Sequence, residues 1–403
     1  MQRPTRKHFL GVAAGAAGWA AFYPWLPTPQ VAEYDVLIRG GRVIDPAQGL
    51  DALVDVGILN GRIASVAPAI PPEQGSVVVD ARGKVVTPGL IDAHVHVYNG
   101  VSRVAIEADP VGVSKGVTTL IDGGSAGAVT FPGFRRLTVS GARSRVYALL
   151  NIAESGMTVR NETADLVGLD SALAAETILR NRDVIVGLKV RMLAGIPDGQ
   201  DLEVMRRTRE ASDLAGGVPI MVHIGGQTSP LPRILDFLRP GDVITHAMRR
   251  QGSVLDGNGR VYPEVREAVA NGIFLDIGHG RGNLDFDVAE QLLDQGVTPH
   301  TISSDVHRGN AMGPVFGLPT TLSKFMQMGM SLEQVIESAT STPAKIFDLG
   351  EELGTLAVGA AADIGIFELV EGDYALVDSG GKTRRFNERL APFLCIRDGE
   401  VVA

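Results

Sequence analysis

The hydrophobic pattern changes character twice along the chain. From Tyr34 the apolar positions come in short runs, at 35–45, 53–58 and 62–66, with Gly40-Gly41 and Asn60-Gly61 as hairpin-type turn signals. After Pro88 the runs become continuously apolar, and helical stretches such as 202–214 and 285–295 fall between them. Continuous apolar runs mark strands of a parallel sheet, because helices cover both of its faces. Eight of them occur, at 90–96, 118–122, 146–151, 184–189, 218–223, 242–246, 273–276 and 301–305. Eight strand–helix units over roughly 250 residues predict a (β/α)8 TIM-like barrel. From Leu353 short strands return, at 354–356, 362–367 and 392–402. Head and tail share one style. The expected α/β architecture is therefore a barrel over 89–350 beside a small β sandwich built from 31–88 and 351–403.

The first thirty residues stand outside this rhythm. Arg6-Lys7 precedes a Gly/Ala-rich, weakly apolar stretch, 11–22, too short for a strong membrane span. Residues 1–30 resemble a twin-arginine export signal, with Arg-Lys in place of the paired arginines, or form an N-terminal anchor. The expectation is a periplasmic or exported protein that meets the export machinery through its N-terminus, and a cytoplasmic one where the signal does not function.

Composition narrows the partners. Hydrophobic residues make up 45% and charged residues 21%, with 37 basic against 46 acidic side chains and a net charge of −9. No basic cluster lies beyond Arg3 to Lys7, so nucleic acid is excluded as a partner. Cys395 is the only cysteine, which rules out internal disulfides and a thiolate metal site. Within the apolar run 392–396 it reads as a buried, inert thiol.

Reacting groups of a (β/α)8 barrel sit at the C-terminal ends of its strands. Taken in order, those ends carry His94 and His96, Lys189, His223, His246 and Asp305. His94-Val95-His96 points two imidazoles the same way, since side chains on a strand repeat with period two. Neutral imidazole is the commonest metal ligand. Singly, each residue has a plainer role: a strand-end histidine is more often hydrogen-bonded than ligated, Lys189 suits an ion pair, and Asp305 a helix cap. Together, six polar groups closing apolar runs on one rim are costly unless paired or metal-bound.

The ordered set His-x-His, Lys, His, His, Asp resembles the two-metal branch of the amidohydrolase superfamily, over residues 34–403. Segments 94–98, 122–127, 187–191, 276–280 and 303–307 resemble its dihydroorotase-like amidohydrolase/deacetylase subgroup. The resemblance implies two divalent ions, zinc first, with manganese, iron and cobalt also compatible. It places one ion on His94, His96 and Asp305, the other on His223 and His246, and Lys189 between them. An ammonium cannot bind a cation. A buried lysine of depressed pKa offers a neutral amine, which carbon dioxide converts to a carbamate. The implied chemistry is attack by a metal-bridging hydroxide, with Asp305 as the catalytic proton shuttle.

Substrate contacts are expected from three further residues. Arg191 shares the face of Lys189 and suits a substrate carboxylate, an ion pair with a structural acid being equally open. His279 either donates to the substrate or steadies its loop, and Tyr98 or the backbone of 123–127 faces the oxyanion. His307 reads as a supporting group, and His300 as structural. The expected function is a metal-dependent hydrolase that deacylates an amide or ester of a small, anionic, carboxylate-bearing compound, acting as a homo-oligomer. A cyclic amidase of the dihydroorotase, hydantoinase or imidase kind remains open. So does a non-catalytic assembly protein on the same fold, although such relatives tend to lose ligands and all six are present.

Overall fold

A computed structural model describes residues 32–349 and 351–403, so the export reading of residues 1–30, Arg6 and Lys7 included, lies outside the described residues. The head of the chain forms β1 (Tyr34–Asp45), β2 (Leu50–Leu59), β3 (Arg62–Ala67), β4 (Gly75–Asp80) and β5 (Val85–Pro88). Asn60 and Gly61, with φ of 51° and 73°, make the predicted tight turn, and Leu59 faces Arg62 across it. Gly40-Gly41 does not turn the chain. β1 runs through it, and the register against β2 slips between Ile38 and Gly41. This is a bulge: Gly40 takes φ 69° and donates its N–H to the Asp55 carboxylate at 2.7 Å.

The barrel strands follow in chain order: β6 (Leu90–Val95), β7 (Val117–Asp122), β8 (Arg145–Asn151), β9 (Ile185–Arg191), β10 (Ile220–His223), β11 (Val243–Thr245) and β12 (Phe274–Asp276). Neighbours pair in parallel throughout. Every residue of β6 and β7 is buried, as the continuous apolar runs require. The eighth run makes single bridges instead of a ladder, Thr301 beside Asp276 and Val306 beside Val95. Asp305 N–H donates to the His94 carbonyl (2.6 Å), and Gly280 N–H to the Ser304 carbonyl (3.0 Å). The run thus joins β12 to β6 and closes the curled sheet. Its irregularity has a local cause: Asp305 lies at φ 46°, which an extended ladder does not accommodate. Helices occur at Gln200–Leu214 and Phe286–Asp294, the second capped by the Asp285 carboxylate on the N–H groups of Asp287 and Val288.

The tail forms β13 (Ile364–Val377), β14 (Thr383–Arg397) and β15 (Glu400–Val401). Ile364 of β13 pairs with Pro88 of β5, and β5 pairs with β1, so both chain ends share one eight-stranded sheet. The short strands expected at 362–367 and 392–402 are the two ends of one long hairpin. Its outer half carries Arg384, Arg385, Asn387, Glu388 and Arg389, whose polarity conceals a strand. This hairpin leans on the barrel: Leu390 N–H donates to Ser323 Oγ (2.9 Å) on the helix Leu318–Gln327. Cys395 is buried in β14, and burial pushes its thiol up to about 12, which makes it inert at neutral pH.

Candidate metal centre

All six predicted ligands converge at the mouth of the barrel. His94, Lys189 and His246 are wholly buried, His96 and Asp305 nearly so, and His223 is partly exposed. His94 Nε2 lies 2.8 Å from Lys189 Nζ and 3.7 Å from Asp305 Oδ1, and His96 Nε2 lies 3.1 Å from the same oxygen. One donor atom from each of His94, His96 and Asp305 falls within 4.8 Å of the others, a spacing that one cation spans. His246 Nε2 sits 2.9 Å from His223 Nδ1, and the His94 and His246 ring centroids are 5.2 Å apart. Lys189 Nζ thus stands against His94, and Met221 Sδ lies 3.2 Å from it.

Partners on the far nitrogens fix which atom of each ring faces inward. Thr245 Oγ donates to Asp276 Oδ2 (2.6 Å), so its lone pair receives His94 Nδ1–H (3.1 Å) and leaves His94 Nε2 as the inward acceptor. Asp276 also accepts from Thr301 (2.6 Å) and Ser303 (2.9 Å). His96 Nδ1 lies 3.0 Å from Ser125 Oγ, and Asp122 holds the N–H groups of Ser125 (2.6 Å) and Val97 (2.8 Å). His246 Nδ1 donates to the Gly278 carbonyl (2.8 Å), which leaves its Nε2 bearing the lone pair. Sequence reading named none of these supports. Asp276 nevertheless carried a signal, since it ends the run 273–276 in the same way as the ligands end theirs.

Electrostatics suit a cation. Burial, reinforced by the nearby Lys189, lowers His94 to about 4, and burial holds His223 and His246 well below the ordinary histidine range. Burial lowers Lys189 to about 7 against the pull of Asp305 and Asp276. Burial alone would raise Asp305, but the surrounding His94, His96 and His246 outweigh it and hold the carboxylate well below its usual range. The result is a buried carboxylate oxygen among imidazole nitrogens beside an amine lowered to about 7, and this donor set fits divalent metal ions. Two of its members, His246 (φ 73°) and Asp305 (φ 46°), hold left-handed backbone that non-glycine residues seldom adopt, a concentration of strain common at functional sites.

Each of the three expected substrate contacts has a protein partner. Arg191 Nε faces the buried Glu162 at 3.3 Å, and Asn151 Nδ2 reaches the same Glu162 oxygen at 3.3 Å. Tyr98 donates its hydroxyl to the Thr130 carbonyl (3.1 Å) and sets its buried ring edge-on to Phe134. His279 is buried with Nε2 2.6 Å from Lys324 Nζ, and burial with that lysine lowers it to about 3. Its Nδ1 lies 3.0 Å from the Gly280 carbonyl of its own loop. Away from the centre, His300 Nδ1 accepts from Leu275 N–H (3.0 Å); His307, its ring centroid 6.5 Å from that of His96, accepts at Nδ1 from Gly309 N–H (3.0 Å).

Residues 85–393 match the Amidohydrolase family. The chain belongs to the amidohydrolase family. This amidohydrolase is 34% identical over 348 residues to the deacetylase Atu3266 of Agrobacterium fabrum, a match covering 85% of each chain. A crystal structure of an adenine deaminase superposes with a TM-score of 0.85 at 32% identity, covering 92% of this chain and 99% of that one. A crystal structure of a dihydroorotase does so with a TM-score of 0.83 at 31% identity, covering 91% and 97%. The amidohydrolase is accordingly an enzyme, a metal-dependent hydrolase of amide-type C–N bonds, and the triad His94, His96 and Asp305 gives it a place for metal.

Proposed function

We propose that this amidohydrolase is a two-metal deacylase of a small, anionic acyl compound. One observation carries the reading: six side chains from the ends of β6, β9, β10, β11 and the eighth run meet in one buried cluster. His94, His96 and Asp305 would hold one ion and His223 with His246 a second, with Lys189, carboxylated at Nζ, between them. An amine lowered to about 7 is substantially neutral at physiological pH and open to carbon dioxide. Zinc, manganese, iron and cobalt all suit nitrogen and carboxylate donors. When bound, such ions polarise the scissile carbonyl and lower the pKa of the attacking water.

The chain's own residues supply the proton path and the exclusion of water. Asp305 is ionised, with Oδ1 toward His94 and His96 and Oδ2 at 3.4 Å from Asn283 Nδ2. It takes a proton from the attacking water and delivers it to the leaving amine or alkoxide. The buried walls around His94, Lys189 and His246 keep bulk water from the reacting carbonyl. The 34% identity to a deacetylase over most of both chains favours an open-chain acyl group over a ring amide.

The test is metal analysis of the purified protein together with a panel of N-acetyl and O-acetyl carboxylic acids, dihydroorotate, hydantoins and adenine. Two divalent ions per chain and hydrolysis of acetyl acids are expected, with turnover lost on chelation and regained on adding metal. Turnover of ring substrates alone would make the enzyme a cyclic amidase. A metal-free protein with no turnover on any member would leave an assembly role.

A further inference from the structure

Arg249 stands out among the cations near the centre. It lies three residues after His246, in the loop that follows β11. Its Nη1 donates to the Ile224 carbonyl (2.6 Å), in the loop that follows β10 just past His223. The guanidinium lies flat on Gly225. A Cβ on that glycine would come within 2.2 Å of Nη1, 2.3 Å of Cζ and 2.5 Å of Nε, and Gly225 itself takes φ 104°. Gly252 packs against the same backbone, where a Cβ on it would come within 2.7 Å of the Gly225 Cα. Two glycines thus make a slot that holds one planar cation beside His223.

That cation has no acid. Among the described residues Arg249 forms no salt bridge, and its buried Nε has no hydrogen-bond partner. Its chain neighbour Arg250 takes the nearby carboxylate, Nε to Asp285 Oδ2 at 2.7 Å. Arg191, another guanidinium of the mouth, faces Glu162 at 3.3 Å, although its Nε too makes no hydrogen bond. Burial is the sole influence on the pKa of Arg249, and it pushes the guanidinium down, as expected where no negative group answers it. A partly buried charge without a counter-charge is costly. A fold that shapes a glycine slot to keep one there is built to receive a negative group from outside. Planar N–H pairs on a guanidinium match a carboxylate bidentately, and a phosphate less selectively.

We propose that Arg249 is the anion anchor of the substrate site and holds the carboxylate of the acyl substrate. The inference rests on the reading of a small anionic substrate given above and adds an orientation. The charged end lies on the side of His223 and His246. Asp305 stands where the eighth run meets β6.

Pairs of N-acetyl amino acids and their carboxamides differ only in the charge of that end, and calorimetric titration of the metal-loaded enzyme measures their binding whether or not they turn over. The wild type is expected to favour the acids by about tenfold or more, the scale of one charge-assisted pair. Arg249→Met should abolish that preference, Arg249→Lys should keep part of it, and Arg191→Met should leave it in place. Metal content and melting temperature, measured alongside, show that each variant retains its centre and fold; if Arg249→Met does not fold, the comparison of Arg249→Lys with Arg191→Met decides. A preference that survives in Arg249→Met overturns the assignment, as does a wild type that binds both probes equally or neither. Failure of the deacylase reading is separate: it would show as absent turnover with the acid preference intact.

Discussion

Gly280→Ala tests whether the position of the Asp305 carboxylate limits the reaction. Gly280 lies at φ 49° in the loop after β12, and a Cβ there would stand 2.2 Å from Asp305 Oδ2 and 2.7 Å from Asn283 Nδ2. Ordinary contact begins at 3.4 Å, so the carboxylate must retreat by about 1.2 Å. Its retreat is obstructed. Oδ1 already sits 3.1 Å from His96 Nε2, and the Asp305 backbone is pinned by its N–H on the His94 carbonyl (2.6 Å) and by Asn310 on its own carbonyl (2.9 Å). A misplacement of about 1 Å costs on the order of 100-fold in rate, or ~2.7 kcal/mol of barrier. Left-handed backbone at an alanine costs a further ~1–2 kcal/mol of stability, a fall of a few degrees in melting temperature. The variant should therefore melt slightly lower while kcat on the best acetyl substrate drops about 100-fold. A folded Gly280→Ala enzyme with kcat within about threefold of wild type would refute the placement of Asp305 as proton shuttle.

Three other outcomes follow from the same geometry. Asp305→Asn should keep the fold and lose turnover by about 1,000-fold, since general acid–base catalysis supplies 10²–10⁴; substantial residual kcat would contradict the role. Asp276→Asn weakens the Thr245 relay behind His94, so metal affinity in a chelator competition should fall about 10–100-fold, and an unchanged affinity would show the relay to be idle. Burial lowers Lys324 to about 7 from the ordinary lysine value of 10.5, so between those pH values the unfolded chain binds the extra proton. Wild-type stability should then gain up to ~1.4 kcal/mol per pH unit relative to Lys324→Met from about pH 7 to 10, read by denaturant unfolding, and a pH-independent difference would rule out the depressed lysine.

The barrel was legible because its signal is local. Runs such as Val117–Asp122 are buried on both faces, and burial on both faces writes itself into consecutive residues. The hairpin Ile364–Arg397 was legible only at its ends, because Arg384 to Arg389 carry the polarity of a loop while pairing with Tyr374 to Leu376 and Val370. Gly40-Gly41 misled for a related reason: the same residue pair serves a turn or a bulge, and the partner strand decides which.

The six candidate ligands and the expected substrate contacts differ in the same way. A (β/α)8 barrel converts a linear property, the last residues of an apolar run, into a spatial one, a place on a single rim. His94, His96, Lys189, His223, His246 and Asp305 could be assembled from that rule alone, and so could Asp276 had every run been held to it. Loop residues obey no such rule. Arg249 and Arg250 are adjacent and chemically identical, yet Asp285 answers one while the slot at Gly225 leaves the other without an acid. Arg191 follows Lys189 by two residues and ends β9. Its Nε faces Glu162 because the loop after β8 folds back over that strand end, an approach encoded in no spacing. The candidate metal centre is therefore written in strand ends, whereas contacts such as Arg249 to the Ile224 carbonyl and Arg191 to Glu162 depend on which loops meet across the mouth.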